Sequence, residues 1–545
     1  MNESFNSLRK SLVKIRVEII LPLFFAIFLL ASCESSVEEH NRPNIILIMA
    51  DDMGYSDLGC YGGEINTPNI DKLAYNGLRF SQFYNAARCC PTRASLLTGL
   101  YPHQAGMGGM VKKTSESQPG PYQGYLNDKS VTIAEVLKSA GYYTAASGKW
   151  HVGEERPFWP IDRGFDNYFG LISGASNYYD ISKGKNDNVV RHFAIDSTEY
   201  TPPNEGFYMT DGITDNALKF LDKADDKDQP FFLYLAYTAP HWPLHAEQED
   251  IDKYRGKFKD GWDKLRSDRY SRMIEIGLIE DDWSISSRDS DVSSWQSLSE
   301  EEKDEMDLLM SIYAAQIDRM DQGIGKVLSS LKEKNIQDNT LILFLSDNGG
   351  SHEGGPNGQD FWGNFHNENI RPGSGRSYHS YGKSWANLSN TPFRMFKSWI
   401  HEGGISTPLI AYWPMVIRNK GGITSQVGHV VDIMATCVDV ANIKYPTSFE
   451  KNDITPVEGA SLLPIFKGEQ RRAHDFIFWE HMGNRGVRMG DWKLVSKQQN
   501  TWELYNLKND RTELSNVFDE EAQVVRTMIS AYQGWANKIE VDGLD

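Results

Sequence analysis

The chain has 545 residues, with 56 Lys and Arg against 74 Asp and Glu, and a formal net charge of -18. Its composition, 40 % hydrophobic and 24 % charged, is that of a globular protein and excludes a disordered or collagen-like chain. The acidic balance argues against nucleic-acid binding and a polybasic membrane patch, since both need clustered Lys and Arg. Five cysteines are too few for a disulfide scaffold in a chain of this length. Composition therefore indicates a large, core-forming protein, typically an enzyme.

The N-terminal segment has the pattern of a bacterial lipoprotein signal. Basic residues precede the apolar run Ile19–Ala31, which is too short to span a bilayer comfortably. The sequence LASC at residues 30–33 resembles a lipobox, whose cysteine is lipidated; an ordinary cleavage site is the alternative. We expect residues 1–32 to be removed, Cys33 to carry a membrane anchor and residues 33–42 to form a tether. This predicts a protein of the bacterial cell envelope, periplasmic or on the outer-membrane surface.

Alternating apolar runs and helical patterns predict an α/β fold. β-branched runs of this kind are typical of strands buried on both faces of a parallel sheet. The predicted strands are residues 44–50, 142–146, 231–237, 340–345 and 409–413, and the predicted helices are 133–140, 213–224 and 306–331. For residues 43–470 we expect a doubly wound mixed, mostly parallel sheet flanked by helices.

The tail changes character. From about residue 475, four short strands (476–479, 486–489, 492–495 and 502–507) and a helix over 520–538 follow one another. They predict a smaller C-terminal α+β subdomain, residues 471–545, built on a short antiparallel sheet.

Two long stretches interrupt the alternation. Residues 247–305 are highly charged and helical only in pieces, which favours a solvated helical cover. Residues 351–390 are dense in Gly, Ser, Asn, His and aromatic residues. Loops this long are uncommon unless functional, so we interpret the second stretch as a pocket wall, with a mobile surface loop as the alternative.

Polar side chains follow the predicted strands, where ligands bind in open α/β sheets. An Asp pair before Gly is by itself more often a turn or a helix cap. Two carboxylate clusters beside a Lys and two His are harder to dismiss, and three carboxylates with an amide suit a hard cation such as Ca²⁺ or Mg²⁺. These residues are Asp51, Asp52, Asp347, Asn348, Lys149, His151 and His241.

The segment RCCPTRASLLTG spans residues 88–99. Pro91 can open a helix in its first turn and Gly99 can end it. Cys89 would then lie at a helix N-terminus, where unpaired N–H groups and the dipole attract an anion. A buried cysteine before a capped helix is the alternative.

The pattern Cys89-x-Pro91-x-Arg93 with LTG at 97–99 resembles the signature of type I sulfatases, the formylglycine-dependent branch of the alkaline-phosphatase-like superfamily. The similarity runs from Asn44 to the tail, and bacterial arylsulfatases are the nearest in kind. Thr92 replaces the commoner Ser. The further matching residues are Asp51-Asp52, Gly148 to His151, Pro240-His241, Asp347-Asn348 and Lys397, five before Glu402-Gly403-Gly404.

The resemblance implies that a maturation enzyme oxidises Cys89 to Cα-formylglycine (3-oxoalanine), whose hydrate attacks the sulfur. It also implies a bound divalent cation, Ca²⁺ rather than Mg²⁺, that lowers the pKa of the attacking hydroxyl. The implied cation ligands are Asp51, Asp52, Asp347, Asn348 and the modified Cys89.

The resemblance further implies five catalytic side chains. Arg93 would steady the hydrate, and Lys149 and Lys397 would neutralise the sulfate oxygens. His241, with Lys397, would assist the departing alcohol or phenol. His151 would act as the base that expels sulfate and regenerates the aldehyde.

Together these features predict a sulfuric ester hydrolase that desulfates sulfated glycans or oligosaccharides at the cell envelope, with aryl sulfates as surrogate substrates. A phosphate or phosphonate monoester hydrolase of the same superfamily is the nearest alternative. A non-catalytic glycan-binding lipoprotein would lack a ligand or the nucleophile, and none is missing. Only Cys60, Cys90 and Cys437 are left for structural roles, so at most one disulfide is expected.

Overall fold

The structure is a computed structural model. The predicted signal peptide, Cys33 and nearly all of the tether lie outside the residues it describes, as does part of the 351–390 loop. Among the described residues no helix is long and apolar enough to cross a membrane. The described residues are 42–184, 191–203, 205–227, 229–281, 283–361, 369–498 and 500–541.

A large mixed sheet organises the chain. Its order is β10-β2-β9-β8-β1-β7-β3-β4-β5-β6, with β11 also paired to β2. Pairs β1–β7, β1–β8, β3–β7, β3–β4, β2–β10 and β2–β11 are parallel, whereas β9 runs antiparallel to both neighbours and β5 to both of its own. The strands are β1 (Asn44–Ala50), β2 (Leu78–Tyr84), β3 (Tyr143–Gly148), β4 (Asn167–Leu171), β5 (Phe193–Ile195), β6 (Thr198–Glu199), β7 (Phe231–Ala236), β8 (Thr340–Ser346), β9 (Ser406–Tyr412), β10 (Gly422–Thr424) and β11 (Gly428–His429).

Helices cover both faces of this sheet. Ile46 and Ile48 of β1 belong to one hydrophobic cluster, whereas Ile45 and Leu47 belong to another. Because side chains alternate along a strand, this division shows an apolar layer on each face, which confirms the doubly wound prediction. The helices are α1 (Pro68–Asn76), α2 (Cys89–Thr98), α3 (Ile133–Ser139), α4 (Met209–Lys227), α5 (Gln248–Asp252), α6 (Gly261–Glu275), α7 (Glu300–Glu333), α8 (Gly382–Ser389), α9 (Glu402–Ile405), α10 (Asp432–Val440), α11 (Leu463–Phe466) and α12 (Ala522–Lys538).

The charged stretch 247–305 is more than a solvated cover. Its Trp262 and Trp295 are buried and lie 5.2 and 5.9 Å, ring centre to ring centre, from Trp385. Trp385 belongs to α8, inside the stretch that we interpreted as a pocket wall. The many charged residues of 247–305 indicated its solvent-exposed face correctly. They gave no signal for the tryptophans that it buries. Part of the predicted pocket wall is therefore hydrophobic core.

The C-terminal part contains the expected antiparallel sheet. Met528 and Tyr532 of α12 pack on one face, and Tyr84 and Ile400 from the body of the chain pack on the other. The boundary at residue 470 stays a prediction. The strands are β14 (Ile477–His481), β15 (Asn484–Met489), β16 (Trp492–Ser496) and β17 (Glu503–Asn506), and a separate two-stranded sheet pairs β12 (Ser448–Phe449) with β13 (Asn452–Asp453).

The four cysteines that the structure describes are all buried and unpaired. The single disulfide that the sequence left open is thus not formed. They are Cys60, Cys89, Cys90 and Cys437.

Candidate active site

Helix α2 presents Cys89 at its N-terminus. Every residue of α2 is buried, Pro91 lies in its first turn, and Gly99 ends it with φ 71°. A hydrogen bond from the Cys90 thiol, with the charge of Lys149, holds the pKa of the Cys89 thiol well below its usual range. The predicted helix is confirmed, and Cys89 lies where backbone N–H groups and the helix dipole favour negative charge.

Adjacent strands bring the acidic residues together. Asp51 and Asp52 follow β1, and Asp347 and Asn348 follow β8, whose last residues pair with those of β1. The Asp52 backbone N–H donates to Asp347 Oδ1 at 3.2 Å, and Asn348 Nδ2 donates to Asp52 Oδ1 at 2.7 Å. Burial, followed by the charge of Asp51, raises the pKa of Asp347 well above its usual range. Such a group of buried carboxylates is costly without compensating positive charge.

This group fits a hard cation. Asp51 Oδ1 and Asn348 Oδ1 are buried oxygens without a hydrogen-bond partner among the described residues. One carboxylate oxygen of Asp51, one carboxylate oxygen of Asp52 and one ring nitrogen of His241 all lie within 4.8 Å of one another. Carboxylate and amide oxygens are the ligands that Ca²⁺ and Mg²⁺ prefer. Cys89 Sγ, by contrast, groups with Cys90 and His151, so its part in holding a cation stays a prediction.

Three buried, positively charged side chains face the acidic group. Lys149 Nζ lies 2.6 Å from Asp51 Oδ2, Arg93 Nη2 lies 2.8 Å from Asp347 Oδ2, and Lys397 Nζ lies 2.8 Å from Asp52 Oδ2. Each side chain is almost fully buried. Although burial opposes it, the charges of Asp51 and then Cys89 raise the pKa of Lys149. The site therefore holds fixed positive charge in a low-dielectric surrounding, where it acts strongly on an anion.

The two predicted histidines are neutral at ordinary pH, because burial lowers the pKa of both His151 and His241 to about 4. His241 Nδ1 donates to the Trp242 carbonyl, which can only accept, so Nε2 is left as an acceptor. Lys397 Nζ lies 3.3 Å from that Nε2. His151 Nε2 lies 3.3 Å from Cys90 Sγ. All the residues predicted for catalysis thus meet at one edge of the sheet.

The sulfatase family model matches residues 43–443 of the chain. The chain belongs to the sulfatase family. It is a sulfuric ester hydrolase. A second model, "N-sulphoglucosamine sulphohydrolase, C-terminal", matches residues 393–533.

Two curated relatives and one solved structure agree with this sulfatase assignment. An uncharacterised sulfatase of Schizosaccharomyces pombe is 35 % identical over 516 residues, 90 % of this chain and 93 % of the relative. An arylsulfatase of Klebsiella aerogenes is 35 % identical over 439 residues, 79 % of this chain and 94 % of the relative. The crystal structure of Ps i-CgsB with k-i-k-neocarrahexaose has a TM-score of 0.66 and 27 % identity, covering 91 % of this chain and 93 % of that one.

The sulfatase site also contains residues that sequence reasoning missed. Glu353 accepts hydrogen bonds from Lys397 and from Trp242 Nε1, and Gly174 lies against His151. An acidic residue in the loop after Asp347-Asn348 was the only available signal for Glu353. Gly174 had no signal, because its place depends on a contact between loops.

Three histidines outside this catalytic group have partners elsewhere. His103 Nε2 lies 2.8 Å from Glu480, and His401 Nε2 lies 3.2 Å from Glu503, so both connect the body of the chain to the C-terminal sheet. His352 packs against Trp399, with ring centres 4.3 Å apart. His366 lies outside the described residues.

Proposed function

We propose that this hydrolase cleaves sulfate monoesters with Cα-formylglycine, derived from Cys89, as nucleophile and with a divalent cation, Ca²⁺ the favoured ion. The observation that carries the proposal is that Cys89, three buried basic side chains and four residues with oxygen ligands meet at one edge of the sheet. When present, the aldehyde hydrate supplies a hydroxyl nucleophile and the cation lowers its pKa. The ligands that would hold the cation are Asp51, Asp52, Asp347 and Asn348.

The chain's own side chains then divide the remaining work. From the side of α2, Lys149 neutralises the sulfate oxygens and Arg93 steadies the nucleophile at residue 89, and ion pairs with carboxylates hold both side chains in place. The Lys397 ammonium offsets the charge that develops on the leaving oxygen, and His241 Nε2 accepts a hydrogen bond from Lys397 and orients it. His151, neutral at ordinary pH, accepts the proton that must leave before sulfate departs. A local positive pocket thus serves an anionic substrate in a protein of net charge -18.

We favour sulfated carbohydrates as natural substrates. The Ps i-CgsB structure, at 27 % identity, holds an oligosaccharide named k-i-k-neocarrahexaose. Trp242 lies beside His241 and Phe361, with ring centres 5.2 and 4.7 Å away, and aromatic faces of this kind suit sugar rings and phenyl rings alike. A lipid anchor on Cys33 would hold the enzyme at the bacterial cell envelope, where such polymers are met. Aryl sulfates would serve as surrogates.

Conversion of Cys89 is the decisive test. The chain, expressed with a formylglycine-generating enzyme, should yield a Cys89 peptide with the mass of formylglycine and should hydrolyse 4-nitrophenyl sulfate. Cys89→Ala should lose the activity, whereas Cys90→Ser, the adjacent control, should keep conversion at Cys89. Unmodified Cys89 together with full activity in Cys89→Ala would falsify the proposal.

Three further measurements address the cation, the substrate and the anchor. Chelation should abolish turnover, and Ca²⁺ should restore it better than Mg²⁺.

A panel of defined sulfated oligosaccharides should be desulfated, and matched phosphate esters should react more slowly; a preference for phosphate would overturn the sulfate assignment. Cys33→Ala should move the protein from the membrane fraction to the soluble fraction.

A further inference from the structure

Glu353 lies in the loop after β8 and is bound from four directions. Its Oε2 accepts from Trp242 Nε1 at 2.7 Å, from Ser351 Oγ at 3.1 Å and from Lys397 Nζ at 3.2 Å. Its Oε1 accepts from Arg88 Nη2 at 3.3 Å. A carboxylate with this many donors has one orientation, and 24 % of the Glu353 side chain is still exposed.

Lys397 is held by this carboxylate together with two other groups. Its ammonium is shared by Asp52 Oδ2 at 2.8 Å, Glu353 Oε2 at 3.2 Å and His241 Nε2 at 3.3 Å. Asp52 is also a proposed cation ligand, so a bound cation would compete with Lys397 for its oxygens. Glu353 is not among the proposed ligands and remains available to hold Lys397 beside His241.

The same carboxylate oxygen fixes Trp242. The indole N–H donates to Glu353, and the indole ring lies beside both His241 and Phe361. One acidic residue thus aligns an ammonium group and an aromatic ring, both of which lie next to His241. Lys397 and His241 are the pair assigned above to the leaving oxygen, whereas Lys149 and Arg93 lie on the side of Cys89.

We propose that Glu353 is a positioning residue for the leaving-group half of the reaction, holding Lys397 and Trp242 in place around His241. This inference rests on the proposed roles of Lys397 and His241. A sugar alkoxide is a much poorer leaving group than a nitrophenolate and depends more on help at the leaving oxygen. Loss of Glu353 should therefore weaken hydrolysis of sugar sulfates far more than hydrolysis of activated aryl sulfates.

The test is a leaving-group series with Glu353→Gln, which keeps the size of the side chain and removes its charge. We measure kcat/KM for aryl sulfates of increasing phenol pKa and for one sulfated sugar that the wild type desulfates. We expect 4-nitrophenyl sulfate to lose no more than about threefold and the poorest leaving group to lose about 100-fold, as for lost general acid catalysis. Glu353→Asp, which retains the charge, should recover part of the loss.

Asp360→Asn is the matched control, because it removes a carboxylate of the same loop that accepts from the Tyr378 backbone at 3.0 Å. It should leave the leaving-group dependence unchanged. An equal loss for all esters in correctly folded, fully converted Glu353→Gln would overturn the inference and indicate a bracing role. Failure of the proposed function is separate, since it would appear as activity that survives Cys89→Ala.

Discussion

At the residue scale, one missing side chain determines where His151 can lie. A Cβ built on Gly174 would stand 2.3 Å from His151 Nε2 and 2.4 Å from its Cε1, closer than any tolerable contact. Gly174→Ala must therefore displace the imidazole. Since a displacement of about 1 Å at a catalytic group can cost about 100-fold in rate, we expect kcat for aryl sulfate to fall 10- to 100-fold, roughly. Steady-state kinetics and a thermal melt check this.

The control for this prediction is Gly109→Ala. Its added Cβ would meet only Tyr122 Cδ1, at an ordinary 3.7 Å. We expect wild-type kcat and an unchanged melting temperature. Wild-type kcat in Gly174→Ala would contradict the assignment of His151 as a residue whose position limits the reaction.

At the element scale, helix α2 is short and buried all round, so no polar face identifies it. Its end depends on Gly99, whose φ of 71° suits glycine and whose added Cβ would stand 2.7 Å from Met434 and Val457 side-chain atoms. Gly99→Ala should therefore cost the left-handed backbone strain and an overpacking term, about 3 kcal/mol together. Urea unfolding measures the loss, and kcat should fall with it because α2 carries Cys89 and Arg93.

The control variant Gly490→Ala separates the cost of backbone strain from the cost of overpacking. Gly490 has φ 58°, and no described atom lies within 4 Å of its added Cβ. We expect only the strain cost there, about 1 kcal/mol. Equal losses at Gly99 and Gly490 would show that packing against α10 does not hold the end of α2.

The elements of the large sheet differ in how well sequence predicts them. Strand β1 has the predicted bounds, and β7 and β8 end within one residue of theirs, because long apolar runs are distinctive. The antiparallel direction of β9 could not be predicted, since a strand buried on both faces has the same pattern in either direction. Six strands of this sheet were missed. Strands β5, β6, β10 and β11 have only two or three residues and carry no periodicity, and the apolar runs of β2 and β4 are broken by polar residues or glycine.

Predictability of the site follows the same logic. Residues at strand ends and in the Cys89 motif were identified from residue type and spacing. Their convergence follows from the order of the central strands, in which β1 lies between β7 and β8 and β3 follows β7. Glu353 and Gly174 act through contacts between loops, for which a single sequence holds no periodic or motif signal.

At the scale of the whole molecule, a buried ionic cluster joins the C-terminal sheet to the body. Glu402 at the start of α9 binds Lys493 of β16 at 2.8 Å and Arg511 at 3.2 Å. It also accepts from Tyr84 of β2 at 3.0 Å. Removing one partner from such a cluster leaves unpaired buried charges and is costly. Within this cluster, Glu402 lies five residues after Lys397, so the cluster also helps to hold the segment that carries Lys397 to the active site.

This cluster makes stability depend on pH with a definite sign. Although burial opposes ionisation, the charges of Lys493 and Arg511 lower the pKa of Glu402 from 4.5 to about 2. The stabilisation is therefore fully present above about pH 4.5 and is lost as the pH falls towards 2. Glu402→Gln should lose on the order of 3 kcal/mol at pH 7, and the gap to wild type should narrow below pH 4.5.

Melting temperatures of wild type and Glu402→Gln, taken at intervals from pH 7 to the lowest pH at which both remain folded, measure that gap. Glu520→Gln, an exposed glutamate before α12, is the control and should track wild type at every pH. A gap that stays constant through pH 4 would mean that Glu402 contributes by shape and hydrogen bonding. A difference in melting temperature that narrows as the pH falls means that the charge of Glu402 joins the C-terminal sheet to the body. Protonation of Glu402 in the wild type then has the same effect as Glu402→Gln.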